Sequence, residues 1–278
     1  MALHDRSTED ETIHALQGVQ VVVHLAARVH VMTDQASDPL QEFRRVNVGW
    51  TDQLARSAAL QGVRRFVYLS SIKVNGEQTG VPFTEQDPPK PQDPYGVSKW
   101  EAEQALARVS TSTGMETVIV RSPLVYGPGV RGNFLQLLNI LHQGIPLPLA
   151  NIRNQRSLVY LENLVDAVIR CIQNPRAAGQ TYLVCDSEDF STPELVRRLG
   201  AAMGSKVCLW PCPTALLYWI GQVVGKREMI DRLVGSLQVN SSKIQTELNW
   251  HPPFTVDAGL SETADWFHAR TTSRVVAS

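Results

Sequence analysis

A phenol and an ammonium group stand one helical turn apart in "DPYGVSKWEAE" (93–103): Tyr95 and Lys99, directly behind Pro94. An ammonium held near a phenol favours the phenolate and lowers its pKa from about 10, which prepares a tyrosine to exchange protons near neutral pH. On a helix from about Pro94 to Val109, the positions Tyr95, Lys99, Ala102, Leu106 and Val109 share one stripe by three-and-four spacing. The lower part of that stripe is apolar, so the lysine extends a core-facing surface, where an uncompensated charge needs a partner or a task. The spacing alone also suits a surface helix with a snorkelling lysine. A hydroxyl narrows the choice. "LSSIKVNG" (69–76) places Ser70 and Ser71 at the C-terminal end of a buried strand, the edge at which open α/β sheets bind ligands.

The elements that must position these groups read as alternating strands and helices. "VQVVVHLAA" (19–27), "VRRFVYLSS" (63–71) and "METVIVRSP" (115–123) are short valine-rich runs without polar alternation, the pattern of parallel strands buried on both faces. Between the first two, Asp38 and Pro39 open a helical segment as N-cap and first helical residue. Its inward stripe is Leu40, Phe43, Asn47, Trp50 and Leu54, so Asn47 is a polar group in an apolar face and needs a partner. The alternation predicts an α/β fold with a doubly wound parallel sheet. Further on, 133–144 reads as a helix ended by glycine, 157–174 as a strand passing into a helix, and "TYLVC" (181–185) as another strand. Beyond Cys185, short helices separated by prolines, including 193–203 and 213–234, predict a smaller, mainly helical C-terminal lobe.

Composition bounds the partners. With 278 residues, 43% hydrophobic and 19% charged, the chain is long enough for a real core and is neither disordered nor fibrous. A net charge of −1 gives no broad attraction to nucleic acid or to an anionic membrane. Cys171, Cys185, Cys208 and Cys212 lack the nearby histidine that would complete a zinc site, so they read as free thiols and no metal is expected. The longest apolar stretch, "ALLYWIGQVVG" (215–225), is too short to span a bilayer, and the polar N-terminus is unlike a signal peptide; a cytoplasmic location is expected.

The ordered set "VVHLAA" (22–27), "NVGWT" (47–51), "LSSIKVNG", "PYGVSK" (94–99), "RSPLVYGPG" (121–129) and "RSLVYLENLVDAV" (156–168) resembles the extended short-chain dehydrogenase/reductases, in their NAD-dependent epimerase/dehydratase branch. The resemblance implies a Rossmann-like domain over 1–185, with 126–150 contributing to the substrate site, and a substrate lobe over 186–278. Matched by position, it implies that Tyr95 is the acid/base, that Lys99 holds the nicotinamide ribose and depresses the tyrosine pKa, and that Ser71 hydrogen-bonds the reacting oxygen. Leu25, Ala26, Ala27, Asn47 and Pro123 would line the cofactor, expected to be NAD with NADP left open; for Asn47 the competing reading is an amide satisfied by backbone. Asn133 and Arg156 would hold the diphosphate of a UDP-sugar, a task suited to a forked guanidinium. Arg232 is a further candidate there, against the reading of a solvated surface arginine. A homodimer through the tyrosine helix, with Trp100 and Ala107 on its outer face, is also implied.

One expected part is missing. A dinucleotide domain needs a glycine-rich turn between its first strand and helix, and in this family it would lie well upstream of "VVHLAA", which only 21 residues precede. The string Gly127, Gly129 and Gly132 in "GPGVRG" follows the tyrosine helix instead and resembles the loop beside the substrate. The expectation is therefore an N-terminally truncated domain. Three functions stay open: an enzyme at C4 of a UDP-sugar serving surface polysaccharide synthesis, as 4-epimerase or 4-keto reductase; a non-catalytic fragment unable to hold the dinucleotide; and a reductase of a sterol-like or dihydroflavonol-like alcohol, which would have no use for Asn133 and Arg156. A 4,6-dehydratase would need an acidic pair where Ile72 and Lys73 stand.

Overall fold

The computed structural model describes residues 9–29, 38–225 and 227–276. In chain order it contains α1 (Glu9–Leu16), β1 (Val21–His24), α2 (Pro39–Phe43), α3 (Trp50–Leu60), β2 (Arg65–Ser71), α4 (Pro94–Thr113), β3 (Glu116–Ser122), β4 (Leu124–Tyr126), α5 (Gly132–His142), β5 (Arg156–Tyr160), α6 (Leu161–Gln173), β6 (Thr181–Leu183), β7 (Asp189–Phe190), α7 (Thr192–Ala202), α8 (Thr214–Val223), α9 (Arg227–Val234), α10 (Ser242–Leu248) and α11 (Val256–Val276). Met1–Thr8, part of the segment read as a connection before the first strand, lie outside the described residues.

The valine-rich runs form a parallel sheet in the order β1-β2-β3-β6. Its faces are covered by different helices. Phe66, Tyr68 and Ile119 pack with Leu54, Ala102 and Leu106 of α3 and α4, whereas Val67, Val118 and Val120 pack with Leu164 and Ala167 of α6. Period-two alternation of strand side chains divides the sheet in this way. The doubly wound, Rossmann-like architecture expected from the sequence is present.

Two differences from the sequence reading have plain causes. The first strand was expected to be buried on both faces, but among the described residues β1 stands at the edge of the sheet with β2 as its one neighbour, and Val23 is 37% exposed. A valine run reports hydrophobicity and carries no information on its place in the sheet order. The helix opened by Asp38, whose carboxylate accepts from the Gln41 N–H at 3.1 Å, changes to a π-helical turn over Arg44–Gly49 before α3 resumes the α-helix. That turn carries Asn47, and such turns are frequent at functional sites.

A second small sheet, β4-β5-β7, lies beyond the main one. Its strands of three, five and two residues are too short for a clear periodic signal. Around it Tyr126, Phe134 and Leu158 share a core with Phe190, Leu260 and Phe267, so the 126–160 region and the C-terminal helices bury their apolar faces against each other.

Candidate functional site

α4 begins where the sequence indicates. Asp93 caps it by accepting from the Gly96 N–H at 2.7 Å, and Pro94 occupies the first turn. The stripe turns inward: Lys99, Ala102, Leu106 and Val109 are buried, with Tyr95 half-buried at the top. β2 delivers Ser70 and Ser71 to the same end of the sheet, in register with Arg121 and Ser122 of β3. The Ser71 hydroxyl accepts from the Lys73 N–H at 3.3 Å and stands on the side of the Tyr95 phenol, whose pKa it draws down. The structure thus brings together a phenol, a hydroxyl and, one turn below them, an ammonium.

The electrostatics differ from the sequence reading. Burial, and then the charge of Asp93, push the Tyr95 pKa up to about 12, and Ser71 draws it only partly back. Lys99 does not depress it, because the ammonium is turned to the strand: Nζ donates to the Leu69 carbonyl at 2.6 Å and lies 4.1 Å from the centre of the Tyr68 ring. Burial pulls Lys99 itself down to about 7, against Glu103, which raises it. Beneath this ammonium His24 stacks on Tyr68, and its ring nitrogen meets the Thr51 hydroxyl at 2.8 Å. Burial first, and Lys99 second, hold His24 down to about 3, so it stays neutral.

A stability prediction follows from Lys99. Its pKa falls from 10.5 to about 7 on folding, so between those values the unfolded chain binds more protons. Stability attributable to this group therefore rises with pH through that window and is lost as pH falls through about 7. Lys99→Met is expected to flatten the rise in Tm across it; a Tm–pH curve parallel to the wild type contradicts the assignment.

Asn47 is fully satisfied by the protein. Its Oδ1 accepts from the Arg28 N–H at 2.7 Å, and its Nδ2 donates to the Arg28 carbonyl at 3.1 Å and to the Ser98 hydroxyl at 2.9 Å. Its partners within the protein are thus backbone and side chain, as the competing reading of a satisfied amide expects. The amide ties the segment after β1, which carries Leu25, Ala26 and Ala27, to the first turns of α4. Leu25 and Ala26 are exposed and Ala27 is half-buried, while Pro123 is buried between β3 and β4.

Arg156 opens β5 and donates to the carbonyls of Arg232 and Gly235 at 2.9 and 3.0 Å. Burial and then the Arg232 charge lower its pKa, and Glu77 opposes them. Arg232 is half-buried beside it on α9, not a solvated surface arginine. Asn133 lies exposed in the first turn of α5 and shares no hydrogen bond with Arg156. Gly127 of the glycine string has φ 145°, and a Cβ there would stand 2.9 Å from that of Leu161. Its missing side chain serves the close packing of β4 against α6.

Sequence reasoning missed one buried cluster. Arg121 is bound to Glu103 through Nε at 3.0 Å and Nη2 at 2.6 Å and donates from Nη1 to Asn75 at 2.9 Å; Ser70 donates to Glu103 at 2.5 Å. A charged residue inside "VIVRSP", facing an acid one turn after Lys99, was the available signal. The cluster fastens α4 to the ends of β2 and β3, and so sets where Tyr95 stands relative to Ser71.

Comparison with known proteins comes next to this geometry. The model of the NAD dependent epimerase/dehydratase family matches residues 2–185. The chain is 46% identical over 255 residues to UDP-glucose 4-epimerase of Vibrio cholerae, covering 91% of this chain and 78% of that one. It is 26% identical to N-acetyl-alpha-D-glucosaminyl-diphospho-ditrans,octacis-undecaprenol 4-epimerase of Escherichia coli O157:H7, covering 92% and 80%. The fold matches that of UDP-glucuronic acid 4-epimerase from Bacillus cereus in complex with NAD, with TM-score 0.78, 20% identity, and 96% and 80% of the two chains covered.

Proposed function

Because this chain belongs to the NAD dependent epimerase/dehydratase family, we propose that it is an enzyme acting at C4 of a UDP-sugar, as a 4-epimerase or a 4-keto reductase. The observation that carries this reading is the convergence of Tyr95, Ser71 and Lys99 at the C-terminal end of β2. Ser71 holds the C4 oxygen while Tyr95 takes its proton as the carbinol becomes a ketone and returns it on reduction. NAD, when bound, supplies the acceptor and donor of the C4 hydride. The donor set suits its nicotinamide ribose: Lys99 makes one hydrogen bond, to Leu69, and has further N–H groups for a diol. Leu25, Ala26, Ala27 and Pro123 add an apolar wall, and Asn47 positions that wall through Arg28.

The phenol of Tyr95 is neutral at physiological pH, since burial and Asp93 hold its pKa high. It therefore stands ready as the acid for a reduction. For the reverse step, a charged Lys99 turned from Leu69 toward the cofactor ribose lowers the cost of the phenolate. A dehydratase is disfavoured because Lys73, where such an enzyme needs an acid, is ion-paired with Glu77 and Asp93.

Arg156 and Arg232 form the diphosphate clamp in this proposal, with Asn133 of α5 as a further candidate donor, which favours a diphosphate sugar over a sterol-like alcohol. The Vibrio relative is named for a UDP-sugar and the Escherichia relative for a diphospho-undecaprenol sugar; both contain the diphosphate that such a clamp reads. A role in surface polysaccharide synthesis, a cytoplasmic location, a homodimer, and the division into 1–185 and 186–278 belong to the same proposal. Arg156→Ala is expected to raise KM for the UDP-sugar about 10- to 100-fold with kcat nearly unchanged. A loss confined to kcat contradicts the clamp.

A further inference from the structure

α8 presents apolar side chains to solvent along its whole length. Only Leu217 and Gly221, one turn apart, are buried in the core, while Leu216, Trp219, Ile220 and Val223, with Val224 at the C-cap, are exposed, Trp219 and Val223 on the side opposite the buried pair. Trp219 is 64% and Val223 67% exposed. A surface helix of a water-soluble domain normally keeps polar residues on that side, and one that is apolar all round is covered by something. Asp, Glu, Lys and Arg are absent between Lys206 and Lys226.

Two features say what covers it. A helix of 10 residues is about 15 Å long and offers an area of only a few hundred Å², well under the roughly 800 Å² per partner of a stable protein interface. It is also far shorter than the roughly 30 Å of a hydrocarbon core, so it cannot cross one. In sequence the apolar stretch is flanked by cations: Lys206 precedes it, and Lys226 and Arg227 follow it directly, ahead of Glu228 and Asp231, with Lys206 and Arg227 exposed. Apolar side chains with tryptophan among them, bordered by cations, match the boundary between acyl chains and anionic headgroups.

We propose that α8 is a membrane-docking helix, which lies flat on an anionic lipid bilayer with Trp219 and Val223 inserted at the headgroup boundary. No described helix is long and apolar enough to cross a membrane; the contact is with one leaflet. The sequence expectation of no membrane partner rested on net charge and on spanning length, neither of which detects a single interfacial helix. α8 packs against α9, the helix that carries Arg232. At Gly221 a Cβ would stand 2.6 Å from Ile230 Cγ1, so α8 and α9 touch there, and Arg232 lies two residues beyond Ile230. Docking would thus hold the candidate diphosphate site close to the membrane surface.

The test is independent of catalysis. The full chain is sedimented with vesicles of phosphatidylcholine containing phosphatidylglycerol, and its tryptophan emission is followed with brominated lipids as quenchers. The wild type and Tyr95→Phe are expected to co-sediment equally and be quenched, while Trp219→Glu binds about tenfold more weakly or worse. Both exposed-face variants, Trp219→Glu and Val223→Glu, should keep the wild-type Tm. Absence of vesicle binding by the wild type overturns the proposal, as does binding unchanged in both variants. A stable dimer that either variant dissociates, without vesicle binding, assigns the face to a second copy instead.

Discussion

Tyr95→Phe is expected to lower turnover by about two to four powers of ten while leaving UDP-sugar affinity nearly unchanged. The size follows from the role: the phenol is the group placed beside Ser71 that can both give and take the C4 proton, and phenylalanine keeps its ring but not its oxygen. The aromatic body packs edge-on near Phe43, with ring centres 6.1 Å apart, so the variant retains its packing. Steady-state kinetics together with UDP-sugar binding separate the two effects. Turnover within a few-fold of wild type sinks the assignment of Tyr95; a large loss of affinity would instead make it a binding residue.

The largest effect on stability is expected at Arg121. Its side chain and that of Glu103 are each 5% exposed, and breaking a buried pair from one side leaves the other charge uncompensated, at a cost of about 3–5 kcal/mol. Arg121→Met should therefore lower Tm by roughly 10 °C, at the scale of 2–4 °C per kcal/mol for a chain of this size. Glu103→Leu added to Arg121→Met should recover a good part of the loss, because the pair is then replaced by apolar groups. A single variant that melts with the wild type would show that the pair is dispensable, and with it the fastening of α4 to the strand ends.

These two sites show how unevenly the sequence exposed the structure. Tyr95 and Lys99 could be placed because a long helix repeats its apolar positions every three or four residues, so the inward stripe could be followed down to Val109. Ser71 could be placed because a buried strand ends where its valine-rich run ends. The partners could not. Asn47 meets Ser98 across 51 residues of chain, through a π-helical turn that no periodicity announces. Arg121 meets Glu103 across a sheet–helix interface, and the sequence offered only the oddity of a charge in a buried run. The direction of the Lys99 ammonium was also invisible: proximity in sequence suggested the phenol, whereas the folded chain gives it the Leu69 carbonyl and the Tyr68 ring. The short strands β4 and β7 escaped notice because two or three residues carry no period.

The resemblance to known families and the physical reading meet at the same residues but contribute differently. The resemblance suggested a role for each matched position; the structure supplied the surroundings of those positions, such as the capping of α4 by Asp93 and the protein partners of Asn47. Arg232 gained most, passing from a weakly matched arginine to a neighbour of Arg156.

The central claim is a hydride transfer at C4 of a UDP-sugar. It is tested most directly by incubating the purified chain and NAD with UDP-sugars carrying deuterium at C4, and locating the label by NMR. The expected result is label retained at C4 of the inverted sugar, or found on the nicotinamide ring where a 4-keto product accumulates, and absent from water. Label lost to solvent, or UDP-sugars left unturned by a chain that binds neither NADH nor UDP, would contradict the claim.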